Sequence, residues 1–401
     1  MRASFLLSDK SSKNTILKKK IIQYLILAGE SSIADISKEI EMSVPTVTKL
    51  VIDLLEEGFV SDFGKQNSNG GRRPNVYGIN PEAGYFVGVD VSRKKVMLGT
   101  IDFNGRKLDE DYSADYVLAN TQESLDSLCA IINEYIDNLP VAREKILQAG
   151  VSLSGRISTS SGYSHSFFYF GERPLSQIIE EKTGVPITLE NDSRAMAYGE
   201  YMAGIVKGEK HILFVNLNWG LGAGLILDGK LYYGKSGYSG EFGHICAFDN
   251  EVICGCGKKG CIETEASGFA MQRLLVERCR QGSTTILSEL IVEKGEVSLS
   301  EFVDAVLKED VLAIEIVEYM GLNLGRWLAG MINIFNPELV IIGGPLSRTQ
   351  DYIRLPIKSA MKKYSLNLVN QDTDLVISKL GERAGLIGAC LLSRSKILGL
   401  L

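Results

Sequence analysis

The sequence predicts an α/β protein whose mixed body is preceded by a small winged helix-turn-helix. Three helical patterns and a two-stranded hairpin occupy the first 80 residues. From Gly84 onward, buried strands alternate with helices, which is the signature of an α/β fold. The strand–turn–strand unit at residues 87–108 occurs again at 213–231. The body is therefore expected to contain two halves of like fold, with a ligand cleft between them.

Apolar periodicity and capping residues predict the three N-terminal helices. Gly29 ends the first helix and Gly58 ends the third. Ser32 is an N-cap residue type, and so is Ser43, which is followed by a proline in the first helical turn. The predicted helices are Asn14–Ala28, Ser32–Ile40 and Val44–Glu57.

A hairpin follows the third helix and completes the winged-helix order. Phe59–Phe63 alternates like a strand, Gly64–Gly71 is polar and loop-like, and Val76–Ile79 returns as a second strand. The loop contains Gly70 and Gly71 followed by two arginines, and such guanidinium groups suit phosphate oxygens or a narrow minor groove.

The third helix is predicted to read DNA, because its face opposite the apolar stripe carries small polar and basic side chains. Helix-turn-helix patterns also occur in protein-interaction modules, and a charged loop is usually only solvated. The arginines in the wing favour DNA. The predicted contacts are Ser43, Pro45, Thr46, Thr48, Lys49, Arg72 and Arg73.

The net charge of −6 over 401 residues is unevenly distributed. Residues 1–80 carry 11 Lys and Arg against 9 Asp and Glu, whereas the remainder carries 32 against 40. A basic head on an acidic body suits a DNA-binding module fused to a sensor. No apolar run reaches membrane-spanning length, and residues 1–14 lack a secretory signal pattern, so a cytoplasmic protein with no membrane partner is expected.

Three cysteines within eight residues, preceded by a histidine, indicate a metal site. Cys254, Cys256, Cys261 and His244 make a set typical of a closed, tetrahedral, structural Zn²⁺ site. The alternatives are a redox pair or free core thiols, and the C-x-C spacing is not that of thioredoxin-like motifs. Cys246 also lies close to the motif in sequence.

Carboxylates cluster around this motif and predict a hydroxyl-binding site. Glu190-Asn191-Asp192 follows a strand-like segment, Val185–Leu189, and a loop after a strand is where α/β folds carry ligand groups. Glu241 and Glu263 flank the metal ligands. An Asn–Asp pair offers the donors and acceptors that vicinal sugar hydroxyls require.

These motifs resemble the ROK family, which groups sugar-responsive repressors with sugar kinases. The resemblance covers roughly Asn14 to Leu392 and rests on Gly240-Glu241-x-Gly243-His244 with the cysteine motif, on Glu190-Asn191-Asp192, and on the Gly-Gly-Arg-Arg-Pro wing. It implies an actin-like (ribonuclease-H-like), two-lobed sugar-kinase fold and zinc on His244, Cys254, Cys256 and Cys261. The sugar-binding residues that it implies are Ser154, Gly155, Asn191, Asp192, Glu241, His244 and Glu263.

The resemblance also implies a domain plan and a function. Residues 1–80 would be the DNA-binding head and residues 81–401 the sensor, with lobes at 81–200 (plus the C-terminal helix) and 201–380. The expected protein is a repressor of carbohydrate uptake and catabolism genes, in which sugar binding between the lobes alters operator affinity. A homodimer or homotetramer would bind double-stranded operator DNA.

Phosphoryl transfer is not expected, so the protein is predicted not to be an enzyme. In family kinases the residue at Asp192 is the catalytic base, and it is retained. The first phosphate turn, however, reads Asp90-Val91-Ser92-Arg93-Lys94 and lacks the kinase glycines, and Trp219 replaces a kinase threonine in the second. Three alternatives remain: a kinase with a regulatory head, a regulator that docks a transporter protein, and a phosphorylated effector held by Arg93 or Lys94.

Overall fold

The computed structural model describes residues 12–65, 74–108 and 111–401. The chain divides into two compact units. Unit 1 comprises the described parts of Met1–Leu153 together with Ser161–Glu190 and Ala389–Leu401, and unit 2 comprises Ser154–Ser160 and Asn191–Gly388. Among the described helices, none combines the length and hydrophobicity needed to cross a bilayer.

The N-terminal part of unit 1 is the predicted three-helix, two-strand arrangement with one added strand. Ser32 caps the second helix in a reciprocal capping box with Asp35. The added strand, Ser31–Ser32, was not predicted, since two residues carry no periodicity; it pairs with Tyr77 and Val76 across the sheet. The elements are α1 (Lys13–Ala28), β1 (Ser31–Ser32), α2 (Ile33–Glu39), α3 (Val44–Glu56), β2 (Val60–Lys65) and β3 (Asn75–Ile79), with sheet order β1-β3-β2.

The body begins with a five-stranded sheet in unit 1. Its central strand β4 pairs antiparallel with β5 and parallel with β7, with Gly88 opposite both Gly99 and Gly150. The sheet order is β10-β7-β4-β5-β6. The elements of this part of the chain are β4 (Tyr85–Val91), β5 (Lys95–Asp102), β6 (Tyr112–Asp115), α4 (Gln122–Asp137), β7 (Ile146–Leu153), β8 (Ile157–Ser158), β9 (Tyr163–Ser164), α5 (Leu175–Thr183) and β10 (Ile187–Asn191). Of these, β8 belongs to unit 2.

Unit 2 contains a second five-stranded sheet, in the order β13-β12-β11-β14-β15. Its buried face packs against α10 around Leu324 and Leu328. The elements from here to the end of the described chain are α6 (Asp192–Ala203), β11 (Ile212–Leu217), β12 (Leu221–Leu227), β13 (Lys230–Leu231), α7 (Gly268–Arg280), α8 (Ser288–Lys294), α9 (Leu299–Leu307), α10 (Val311–Phe335), β14 (Leu339–Gly343), α11 (Asp351–Tyr364), α12 (Asn367–Asp372), β15 (Asp374–Ile377) and α13 (Ala384–Leu398). Of α13, only residues 384–388 belong to unit 2.

The two sheets share one topology, which explains the repeat seen in the sequence. In each, the first strand pairs antiparallel with the second and parallel with the fourth. In each, the third strand lies beyond the second and the fifth lies beyond the fourth. This duplicated 3-2-1-4-5 order is the ribonuclease-H-like arrangement that the family resemblance implied.

Candidate functional site

Strand β10 runs directly into α6, and this junction positions Asn191 and Asp192. Asn191 is the N-cap of α6, where its Oδ1 accepts a hydrogen bond from the Arg194 backbone N–H at 3.1 Å. Its Nδ2 donates to the Gly155 carbonyl at 3.0 Å and to Asp192 Oδ1 at 2.9 Å. Residues 190–192 were predicted to form a loop, but they form the end of β10 and the start of α6. The asparagine cap starts the helix without an intervening turn.

The Asp192 carboxylate is held by donors from three segments. Ser154 Oγ donates to Oδ2 at 2.6 Å, and Asn216 Nδ2 lies 3.4 Å from the same oxygen. The Ser193 backbone N–H donates to Oδ1 at 2.8 Å. Ser193 and Asn216 were missed in the sequence. The available signal for Asn216 was one amide in a strand, β11, that is otherwise apolar.

Arg194 is a buried cation that supports the backbone around this carboxylate. It is 2% exposed. Its guanidinium donates to the carbonyls of Gly237 at 2.7 Å and Ile157 at 3.1 Å, and it lies 5.5 Å from the centre of the Tyr233 ring. Sequence reasoning did not identify this residue, since an arginine in the first turn of a helix is usually solvated. Its contacts connect the segment after Gly155 with the segment before Glu241.

Glu241 immediately precedes a 3₁₀ turn, Phe242–His244, and shares the electrostatic surroundings of Asp192. Burial raises the pKa of the Glu241 carboxyl, and the negative charge of Asp192 adds to the increase. Electrostatic interactions with His244, Arg156 and Arg194 act in the opposite direction. Desolvation disfavours the charged carboxylate, so a polar ligand that hydrogen-bonds to it replaces lost solvation.

His244 lies between two carboxylates, with a different nitrogen facing each. Its Nε2 is 3.7 Å from Glu241 Oε2, and its Nδ1 is 3.9 Å from Glu263 Oε1. Nδ1 is also 3.4 Å from Cys254 Sγ. Glu263 accepts from Cys254 Sγ at 3.1 Å and from the Leu221 backbone N–H at 3.1 Å. The predicted sugar-binding residues of unit 2 thus form two sets of contacts, one of Ser154, Gly155, Asn191 and Asp192 and the other of Glu241, His244 and Glu263.

His244, Cys254, Cys256 and Cys261 come together as one candidate metal centre. One donor atom from each residue lies within 4.8 Å of all the others. The Sγ atoms of Cys256 and Cys261 are 3.7 Å apart. A tetrahedral zinc ion with Zn–S bonds of about 2.3 Å requires S–S separations of about 3.8 Å, so the donors fit this ion in kind and spacing.

Tight turns bring the three thiols together. Gly257 and Gly260 have φ values of 85° and 70°, in the region that favours glycine. A Cβ on Gly260 would lie 1.9 Å from the Phe248 carbonyl oxygen. Burial raises the pKa of the Cys254 thiol. Cys246 is exposed, donates to the Lys259 carbonyl at 3.6 Å, and is not a member of the four-residue group.

The second of the two turns compared with kinase phosphate loops has two of its backbone donors occupied by side chains. The Trp219 N–H donates to the Asn218 side chain at 2.8 Å, and the Leu221 N–H donates to Glu263. A Cβ on Gly220 would lie 2.7 Å from Glu263 Oε2. A phosphate cradle needs such N–H groups directed at the ligand.

On the winged helix, α3 presents most of the predicted DNA contacts at its surface. Ser43, Pro45 and Lys49 are exposed, whereas Thr46 and Thr48 are half-buried. Ser43 Oγ lies 2.8 Å from Thr46 Oγ1 and makes no cap bond to the backbone, and Thr48 Oγ1 donates to the Val44 carbonyl. Lys18 on α1 pairs with Glu57 at 2.6 Å. Arg72 and Arg73 lie outside the described residues.

A winged helix-turn-helix ahead of a duplicated α/β body with a His–Cys₃ centre defines a DNA-binding regulator built on a sugar-kinase-like fold. Comparison with known families supports both parts. The ROK family model matches residues 86–396, and a winged helix-turn-helix DNA-binding model matches residues 15–61. The chain belongs to the ROK family.

Individual proteins resemble the chain over most of its length. A putative xylose repressor of Caldicellulosiruptor sp. (strain Rt8B.4) is 29% identical, covering 94% of this chain and 96% of that protein. A ROK family transcriptional regulator of known structure, a homologue of E. coli Mlc, has a TM-score of 0.80 at 27% identity and covers 96% of both chains. A ROK family glucokinase from Streptomyces griseus, solved with glucose and AMPPNP, has a TM-score of 0.69 at 26% identity, covering 78% of this chain and all of that one.

Proposed function

We propose that the chain is a sugar-responsive repressor of carbohydrate uptake and catabolism genes, acting in the cytoplasm. Residues 1–80 bind operator DNA, and residues 81–401 bind the effector. The observation that carries this proposal is the hydrogen-bonded set around Asp192, next to the His244 centre, in a chain that begins with a winged helix. The similarity to a putative xylose repressor and to a glucokinase that binds glucose supports a sugar as the ligand.

The set around Asp192 suits vicinal hydroxyl groups. Asp192 and Glu241 supply carboxylate oxygens that accept hydrogen bonds from hydroxyls, and charge-assisted bonds of this kind are the strong ones. Asn191 and Ser154 orient the Asp192 carboxylate through the contacts at 2.9 and 2.6 Å. Gly155 leaves room beside Asn191, because it adds no side chain there.

We further propose that His244, Cys254, Cys256 and Cys261 hold a structural zinc ion. Nδ1 of His244 faces Cys254 and would ligate the metal, which leaves Nε2 directed toward Glu241 and the sugar. The metal supplies no reaction; it orients the imidazole and the surrounding loop, as metal ligands with a second functional nitrogen do.

Metal binding would also release Glu263 for ligand recognition. In the structure the Cys254 thiol donates to Glu263 Oε1. A thiolate has no proton to donate, so Glu263 would lose this donor when Cys254 ligates zinc. Its Oε1 could then accept a sugar hydroxyl, while Oε2 keeps its bond to Leu221.

Operator recognition requires more than one head. A homodimer or homotetramer would place paired α3 helices in successive major grooves of a two-fold-symmetric site, with Lys49 near phosphates. Sugar binding would change DNA affinity through a coupling free energy of typically ~1–3 kcal/mol, or roughly 5–150-fold.

A sugar kinase is the second candidate, favoured by the retained Asp192 and by the glucokinase similarity. The occupied N–H groups at Trp219 and Leu221 argue against it. A coupled assay of ADP formation with D-xylose and D-glucose separates the two. Turnover that Asp192→Asn abolishes would establish the kinase.

The test of the regulator is selection of DNA followed by titration with sugar. Zinc-loaded protein is incubated with a random-sequence duplex library, and the enriched duplex is used to measure affinity with D-xylose, D-glucose or D-glucose 6-phosphate present. Asp192→Ala should abolish the sugar effect and preserve DNA binding. Asp372→Ala, an exposed acid at the end of α12, serves as the matched control. Equal loss of both activities in Asp192→Ala would contradict separate DNA and sugar sites.

A further inference from the structure

Helix α13 is the one helix in the described part of the chain that the two compact units divide between them. It runs without interruption over Ala384–Leu398, and the boundary falls between Gly388 and Ala389. Its first turn therefore belongs to unit 2, with the proposed sugar site, and its remainder to unit 1, with the winged helix. A continuous helix keeps its internal hydrogen bonds when one end moves, so displacement at one end reaches the other.

In unit 2, α13 packs backbone to backbone against α6, the helix that begins at Asp192. A Cβ on Gly388 would lie 1.8 Å from the Ala195 carbonyl oxygen, and a Cβ on Gly199 would lie 2.5 Å from that of Ala384. Glycine at both positions permits this approach. No flexible side chain separates the two helices here, so a shift of α6 displaces α13 directly.

A buried carboxylate further ties α6 to the segment that leads into α13. Glu200 is fully buried, and its Oε1 accepts from Ser378 Oγ at 2.5 Å and from the Leu380 N–H at 2.7 Å. Its Oε2 accepts from the Ile205 N–H at 2.9 Å. A buried carboxylate with three donors holds a fixed geometry, because losing any donor leaves charge unpaired.

In unit 1, α13 contacts both β7 and the winged helix. A Cβ on Gly150 would lie 2.4 Å from the Ala389 carbonyl oxygen, and β7 ends immediately before Ser154. Arg394 Nε donates to the Phe103 carbonyl at 2.9 Å. The Phe103 ring lies 5.6 Å from that of Phe59, at the start of the wing hairpin, and both rings are buried.

The C-terminal end of α13 is bound by Gln23 on α1. Gly399 has φ 66°, and the Leu400 N–H donates to the Ser395 carbonyl at 2.9 Å, which closes the helix in a Schellman turn. Gln23 Nε2 donates to the carbonyls of Leu398 at 2.8 Å and Gly399 at 2.9 Å. The last carbonyls of a helix have no intrahelical partner, so this amide supplies donors that the helix lacks.

We infer that α13 carries the effector signal from the Asp192 site to the winged helix, and that Gln23 is the positioning residue that receives it. This inference rests on the proposed function. Sugar binding at Asn191 and Asp192 acts on the first turn of α6, and α6 and α13 move together through the Gly199–Gly388 contact. The other end of α13 repositions α1 through the Gln23 bonds.

The experiment measures how strongly a sugar and DNA influence each other in the full-length protein. DNA affinity is determined with and without saturating D-xylose or D-glucose, whichever binds the wild type, using the selected duplex. Gln23→Leu fills the same space but cannot donate. Its affinity for sugar in the absence of DNA, and for DNA in the absence of sugar, should each lie within about twofold of wild type. The change in DNA affinity that sugar causes, typically 5–150-fold, should fall to less than about twofold. Because coupling is reciprocal, the effect of DNA on sugar affinity should fall equally.

Three further variants separate coupling from stability. Gln23→Asn retains the amide but is one methylene shorter, so it should also uncouple, and it replaces Gln23→Leu if that variant melts early. Gln23→Lys restores a donor to the helix end and should recover coupling. Gln177→Leu, an exposed position on α5, should leave it unchanged. Full coupling in both Gln23→Leu and Gln23→Asn would overturn the inference about α13 and Gln23 and leave the proposed function standing. If sugar has no effect on DNA affinity in the wild type, both the inference and the proposed function are overturned.

Discussion

The close contact between α6 and α13 predicts that one added methyl group will destabilise the protein. In Gly388→Ala the new Cβ would lie 1.8 Å from the Ala195 carbonyl oxygen and 2.5 Å from its carbonyl carbon. Real Cβ atoms essentially never approach closer than 3.0 Å, so the helices must separate by about 1.2 Å. Overpacking of this kind costs typically 1–3 kcal/mol or more. The gain in helix propensity, roughly 1 kcal/mol, offsets only part of it.

A matched control shows what the same substitution does without the contact. Gly330 lies in the interior of α10, is exposed, and has open space where a Cβ would lie, with no neighbouring atom within 4 Å of that position. Gly330→Ala should stabilise by about 0.5–1 kcal/mol, whereas Gly388→Ala should destabilise by about 2 kcal/mol. For a cooperative unit of roughly 200 residues, the melting temperatures should then differ by about 5–12 °C, measured by calorimetry on zinc-loaded protein. Equal melting temperatures would refute the packing argument.

Three other predictions concern the metal, the DNA surface and pH. Cys256→Ser should lose bound zinc in elemental analysis of the purified protein, whereas Cys246→Ser should retain it, because Cys246 is outside the four-residue group; equal zinc content would contradict the ligand set. Lys49→Ala should lower the magnitude of the slope of log affinity against log salt concentration by about 0.9 per DNA-bound head. Lys379→Ala is the control and should leave the slope unchanged. An unchanged slope in Lys49→Ala would remove Lys49 from the phosphate contacts. Lys396 is an exposed residue whose ammonium group donates to Thr188 Oγ1 at 3.1 Å. Desolvation of that group lowers the pKa of Lys396, so the unfolded chain binds more protons than the folded one between that lowered value and the ordinary 10.5. The free energy of unfolding should therefore rise with pH across this window, measured by urea titration, and Lys396→Met should flatten the rise.

The elements with strong periodicity were predictable from the sequence. The apolar stripe of α3 and the repeated strand pairs of the body follow from spacing alone, and their observed bounds differ by only a few residues from those expected. The four metal-binding candidates were predictable for a different reason. His and Cys are rare residue types, and a cluster of them has few explanations other than metal binding. A single acidic residue such as Glu241 can occur at its position for many reasons.

The residues that were missed act through contacts that no local pattern encodes. Arginine and glutamine, the residue types at positions 194 and 23, are common on the exposed surfaces of helices. Their importance comes from carbonyls far away in the chain, at Ile157, Gly237 and Leu398. The 190–192 segment was expected to be a loop because ligand groups often follow strands, but an Asn at the N-cap let β10 pass into α6 directly. Side-chain capping thus overrode the general rule for strand ends.

The turn at Asn218–Gly222 shows how a kinase-like fold suits sensing. A phosphate cradle leaves backbone N–H groups unpaired until the nucleotide arrives, and unpaired donors in a partly buried turn cost free energy. Here Asn218 and Glu263 accept from two of these groups, and Glu263 is also part of the proposed sugar site. The same carboxylate therefore accepts a hydrogen bond from the turn and belongs to the proposed sugar site. Restoring the cradle would require removing Glu263 from Leu221, which would also disturb the proposed sugar contacts, so nucleotide binding and the proposed sugar site would oppose each other.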